Sequence, residues 1–115
     1  MQFSSVPEFN REFNDLLKKW RSLRDDLERL KNVLSQFPQG YPPGIVRVPD
    51  LKIQTEIYKV KHFRCAGMRG KGSRSGIRIV YAYLPQIAKI EFVEIYYKER
   101  DGIDCNKDRI RKYYS

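Results

Sequence analysis

Apolar positions along the chain follow two rhythms. Phe9, Phe13, Leu16, Leu17 and Trp20 recur at spacings of 4, 3, 1 and 3, one face of a helix, with Arg11, Asp15, Lys18 and Lys19 opposite. Pro7 suits the first position of that helix, where its missing N–H is no loss. After a break near Arg21, Ser22 with Asp25 three positions on resembles a capping box. Leu23, Leu27, Leu30, Leu34 and Phe37 then form a second stripe, and Asp25, Asp26 and Glu28 suit its amino-terminal end through the helix dipole. So short a connection predicts an antiparallel helical hairpin whose stripes are core. Gln2 to Val6 reads as a short first strand.

Past Phe37 the period changes from helical to alternating. Pro38-Gln-Gly-Tyr-Pro-Pro-Gly44 ends the helix and starts a surface loop, and Ile45 to Val48 is briefly extended before Pro49 and Asp50. Ile57 to Cys65 reads as a strand, with Tyr58, Val60 and His62 on one side and Lys59, Lys61 and Phe63 on the other. Ala66 to Gly76 is a loop, and Ile77 to Leu84 is a strand with Arg78, Val80 and Ala82 opposite Ile79, Tyr81 and Tyr83. After a turn at Pro85-Gln86, Ala88 to Lys98 is the next strand, so short links predict a three-strand antiparallel meander. Asp104 or Asn106 is a candidate cap for a short C-terminal helix through Arg109 to Tyr113. The expected class is α+β, one domain over 1–115, with the helices on one sheet face.

Charge adds what periodicity cannot. No acidic residue lies between Glu56 and Glu91, an interval holding Lys59, Lys61, Arg64, Arg69, Lys71, Arg74, Arg78 and Lys89. Nearly all of the net charge of +9 is concentrated there, which points to a polyanionic partner. No apolar run approaches the roughly 18 residues of a membrane span. The start, Met1-Gln-Phe-Ser-Ser-Val-Pro, lacks the blocks of a signal peptide, so the expected location is the cytoplasm. Cys65 and Cys105 read as free thiols, and one histidine cannot build a zinc site, so no cofactor is expected.

The run Gly67-Met-Arg-Gly-Lys-Gly-Ser-Arg-Ser-Gly76 is similar to phosphate-cradling loops but lacks Walker spacing and joins strand to strand. Two readings stand side by side: Arg69, Lys71 and Arg74 contact phosphates, or the loop is a solvated hairpin. Lys59 and Lys61 project from one side of their strand about 7 Å apart, and an adjacent strand brings Arg78 within reach. Such a cluster suits cleavage of RNA by its own 2′-hydroxyl. That reaction needs a base, charge at the pentavalent phosphorus and a donor to the leaving oxygen. Cation crowding favours a lysine base, and an arginine fork suits a pair of phosphate oxygens. A merely solvated basic face is the alternative. His62 reads as a packed histidine, and Glu91 and Glu94, three apart, as facing opposite ways. Tyr96 and Tyr97 are candidate base-stacking contacts, and Arg64 a further RNA contact.

The element order, with Tyr58-Lys-Val-Lys61, Gly76-Ile-Arg-Ile-Val-Tyr81, Phe92-Val-Glu-Ile95 and Lys98-Glu-Arg100, resembles the RelE/ParE superfamily of bacterial toxins over nearly the whole chain. The resemblance implies the toxin half of a type II toxin–antitoxin pair. In the RelE branch this is a ribosome-dependent, metal-independent messenger RNA endoribonuclease that inhibits translation. It implies that Lys59 and Lys61 supply the base and a phosphate contact and that Arg78 stabilises the transition state. It further implies that a basic residue near Lys98 or Arg100 serves the leaving group, and Tyr113 or Tyr114 is a candidate for the family's base-stacking tyrosine. The implied partners are a cognate antitoxin, messenger RNA and ribosomal RNA. The ParE branch implies gyrase inhibition without nuclease activity. A non-catalytic RNA-binding module is the third reading.

Overall fold

The computed structural model describes residues 1–98 and 104–115. Strand β1 (Gln2–Ser5) leads into helices α1 (Pro7–Lys19) and α2 (Leu23–Gln36), followed by strands β2 (Ile45–Arg47), β3 (Glu56–Val60), β4 (Ile77–Leu84) and β5 (Lys89–Tyr97) and helix α3 (Lys107–Tyr114). The class is α+β. The five strands form one sheet in the order β1-β5-β4-β3-β2. β3, β4 and β5 are antiparallel neighbours, as alternation and short links predict. The whole sheet is nevertheless mixed, because β1 lies parallel to β5, with Phe3 beside Ile90, and β2 adds an antiparallel edge beside β3.

The helical stripes pack against one sheet face. Phe9, Leu23, Leu27, Leu30 and Leu34 are buried with Tyr58, Val60, Ile77, Ile79, Tyr81, Ile90, Phe92 and Ile95. Each such side chain contributes about 1.5–3 kcal/mol by leaving water, enough to make this the principal core. Gly76 closes one end of it. Its φ of 87° is left-handed, and a Cβ there would come within 2.9 Å of the Tyr97 ring, so only glycine fits.

Several sequence expectations fail for physical reasons. The helices do not share one face: α3 packs on the far face. There Ile110 joins Val48, Leu51, Ile57, Val80, Ala82, Val93 and Cys105 in a second core. β3 ends at Val60, because the Lys61 and His62 N–H groups both donate to the Gly44 carbonyl and turn the chain. Alternation stops with it, so Phe63 is buried in the principal core and His62 is exposed rather than packed. Ser22 is no capping-box residue. Its hydroxyl makes no cap bond but donates to the Asp26 carboxylate and accepts the Gly67 N–H. Asn106, not Asp104, caps α3, accepting the Arg109 N–H at 3.0 Å.

A β-bulge decides the direction of two acids. Val80 pairs with Glu94 and Tyr81 with Phe92, which leaves Val93 as an extra residue on β5. Glu91 and Glu94 therefore face the same side. Glu91 accepts from the Tyr114 hydroxyl and Glu94 from the Asn106 N–H, both at the α3 end of the chain. Past the end of β1, the outer edge of β5 is covered by an ion pair instead of a strand. Arg109 donates to the Val93 carbonyl and doubly to Glu12, while Glu12 accepts the Ile95 N–H.

The far end of α3 is tied to α1 through Glu8. The Tyr113 hydroxyl, 2.6 Å away, donates to its carboxylate, and with Lys112 it holds the carboxyl down at about 2 from an ordinary 4.5. A carboxyl depressed on folding stabilises the fold above its unfolded value, and that contribution is lost as pH falls through the folded one. The tie should thus weaken between about pH 4.5 and about 2. The Glu8 carboxyl carbon should titrate in NMR with a midpoint near 2, and Tyr113→Phe should move that midpoint upward. A midpoint near 4.5 in the parent protein would contradict the assignment.

Candidate functional site

The far sheet face carries a two-row array set by strand register. One row runs Lys59, Val80, Glu94 across β3, β4 and β5. The next holds Arg78 beside Tyr96, while Lys61 lies just past the last β3 pair, Val60 with Ile79, where the chain turns. Neighbouring strands stand about 4.8 Å apart, so Arg78 and Tyr96 are side-by-side neighbours. Lys61 is exposed and Arg78 half-buried, and among the described residues neither has an acidic partner.

Lys59 differs. Its ammonium is 2.9 Å from the Asp104 carboxylate, with the lysine side chain 21% exposed and the aspartate 60%. Cation crowding does not describe Lys59 in this arrangement, because an acid sits against its ammonium. The lysine's hydrogen bond and the Cys105 N–H hold the Asp104 carboxyl below the usual range. A pair this open to water is worth about 0–1 kcal/mol, so another anion can take Asp104's place at little cost. Asp104 is the residue that sequence reasoning missed. It stood only as an alternative cap for α3, and its pairing spans 45 positions, beyond any local pattern.

Around this pair the electrostatics are mixed. Burial pushes the Glu94 carboxyl up, with the Asn106 N–H and Arg109 acting in the opposite direction. Burial also pushes the Tyr96 phenol up, with Cys105, Asp104 and Glu94 adding to it and Arg78 opposing. The Tyr96 hydroxyl is buried without a hydrogen-bond partner among the described residues. Among the described residues no three His, Cys, Asp or Glu side chains converge as metal ligands.

The other sequence candidates are dispersed. Tyr97 faces the opposite side of the sheet, its ring 5.2 Å from Trp20, and serves the core rather than a surface shared with Tyr96. Lys98 is exposed past the end of β5, its N–H on the Gly76 carbonyl. Arg100 lies outside the described residues. Arg69, Lys71 and Arg74 are exposed on the glycine-rich loop, which takes left-handed turns at Gly70 and Gly72. Arg64 instead borders a cleft of about 360 Å³ between α2 and the Tyr41–Ile45 segment, with His62 and Ser73. Tyr113 and Tyr114 are bound to Glu8 and Glu91. Among the described residues no helix is long and apolar enough to cross a membrane.

Compared with profiles of known protein families and with curated proteins, the sequence matches none.

Proposed function

We propose that this protein is the toxin half of a type II toxin–antitoxin pair, of RelE-like arrangement, and that it cleaves messenger RNA held at the ribosome. The observation that carries the reading is the placement of Lys59 and Arg78 on one sheet face, with Lys61 just past the end of β3. In the proposed reaction the 2′-hydroxyl loses its proton to a lysine and its oxygen bonds to phosphorus. The bond from phosphorus to the 5′-oxygen breaks, and that oxygen takes a proton, leaving a 2′,3′-cyclic phosphate and a 5′-hydroxyl. Lys61, exposed and free of acidic partners among the described residues, is the better placed base. Arg78 offers a planar fork to the non-bridging oxygens, whose charge grows in the transition state. Lys98 and the loop cations Arg69, Lys71 and Arg74 supply phosphate contacts farther along the strand. An acidic antitoxin segment would silence the site by covering the same cations.

Expression without an antitoxin should arrest growth, and primer extension on cellular messages should stop within translated codons. Intact messages with stalled gyrase complexes would instead place the protein with the gyrase inhibitors. The Lys59–Asp104 pair favours one second reading, RNA binding without cleavage. It predicts retained, salt-steep affinity, log K falling with log salt by about 0.7 per phosphate contacted, and no cut products.

A further inference from the structure

Asp104 and Tyr96 are both unexplained by the roles assigned to the cations. An acidic side chain lies against Lys59 at 2.9 Å. Two strands over, on β5, a phenol that is the cross-strand neighbour of Arg78 buries its hydroxyl with no partner among the described residues. Leaving a buried donor unpaired is costly, and such groups are rare in folded proteins. The two anomalies are close, since Cys105, next to Asp104, is buried in the second core against which the Tyr96 ring packs.

We infer that Asp104 occupies, in the free protein, the position of a substrate phosphate on Lys59, and that the Tyr96 hydroxyl is the donor reserved for that phosphate. The ligand is a phosphodiester of single-stranded RNA, so the inference rests on the proposed reading and deepens it. The carboxylate is a one-charge stand-in for a phosphodiester: both carry a single negative charge and present two oxygens to an ammonium. Among the described residues Asp104 is held only by Lys59 and by the Cys105 N–H of its own chain segment, and it is itself largely exposed, so an incoming anion displaces one side chain. With Asp104 gone, one phosphate oxygen meets Lys59 and the other comes within reach of Tyr96. Arg78 stands beside the same tyrosine, so three strands of one sheet face each offer a donor to the anion. Glu94, in the same row as Lys59, stays turned to the Asn106 N–H and limits the site to a single phosphate.

The test uses the full chain and a short single-stranded RNA carrying 2′-O-methyl groups, which cannot be cut by 2′-hydroxyl attack. Affinity is read by fluorescence anisotropy at low salt, beside thermal unfolding of each variant. Tyr96→Phe should weaken binding roughly tenfold, the loss of a hydrogen bond to an anion, while leaving the melting temperature equal or higher because a stranded hydroxyl is removed. Asp104→Asn should tighten binding about threefold by removing the competing anion. A tyrosine that serves only packing would leave affinity at the parent value, and an aspartate that is only structural would lower stability without raising affinity. Either variant matching the parent in affinity overturns the assignment. If the parent itself shows no salt-dependent binding to this RNA, the proposed function falls, a result distinct from failure of this inference.

Discussion

Replacing Lys59, Lys61 and Arg78 together by alanine should abolish growth arrest while leaving the fold in place. Removing a general base costs about 10²–10⁴ in rate, and removing a transition-state donor about 10²–10³. The combined loss should exceed roughly 10³-fold even if the effects overlap, because residues acting on one phosphate are not additive. The structural cost is small. Lys61 is exposed, Arg78 has no acidic partner among the described residues, and the Lys59–Asp104 pair contributes about 0–1 kcal/mol. Near-ultraviolet circular dichroism of the triple variant should therefore match the parent. Single variants divide the roles. Arg78→Lys keeps the charge but loses the fork, and should retain RNA affinity while losing cleavage. Lys59→Ala should cost less than Lys61→Ala, since Lys61 is the proposed base and Lys59 a phosphate contact. Growth arrest by the triple variant at the parent's level would remove these cations from the mechanism.

How much of this arrangement is legible in the sequence depends on range. β4 spans Ile77–Leu84 as its alternation predicts, because a run of β-branched and aromatic residues buried on both faces leaves little freedom. α1 begins at Pro7 for the equally local reason that proline suits a first turn. The candidate cations Lys59 and Arg78 share a face because the pleat has period two, and this too is local. What fails is every feature set by a distant partner. β1 beside β5 joins positions some 87 apart, as in Ser4 donating to Glu91, and no pattern in Gln2–Ser5 specifies that neighbour. The Val93 bulge turns Glu94 toward the Asn106 N–H, reversing a parity that simple counting assigns to it. His62 is exposed because the Gly44 carbonyl, 18 positions away, turns the chain at Lys61 and His62. Asp104 is in the same class. Strand arithmetic finds the cations but cannot find the acid that answers one of them.

Asp26 provides the largest expected effect on stability. In the sequence it is one of three acids suited to the start of α2, a role worth a few tenths of a kcal/mol at the surface. In the fold its side chain has no exposure, and its two oxygens take the Arg29 guanidinium, the Ser22 hydroxyl and the Ala66 N–H. The same Ser22 hydroxyl receives the Gly67 N–H, so the carboxylate anchors the root of the glycine-rich loop to α2. Asp26→Ala strands the Ala66 N–H and the Ser22 hydroxyl, while the half-exposed Arg29 guanidinium regains water, and should cost about 2–4 kcal/mol, the loss of two hydrogen bonds to a buried carboxylate. Against a usual total of about 5–15 kcal/mol this is a large share. The urea midpoint should fall with the slope unchanged, since the surface exposed on unfolding is nearly the same. Asp26→Asn keeps the shape and one acceptor for the Ala66 N–H and should fall between the two. Amide exchange at Ala66 and Gly67 should accelerate in the alanine variant well beyond the change at Ile79 in the sheet core, because these two amides lose their hydrogen-bond anchor first. A loss below about 1 kcal/mol would show that the carboxylate is not what secures the loop, because ordinary surface changes stay within about 0.5.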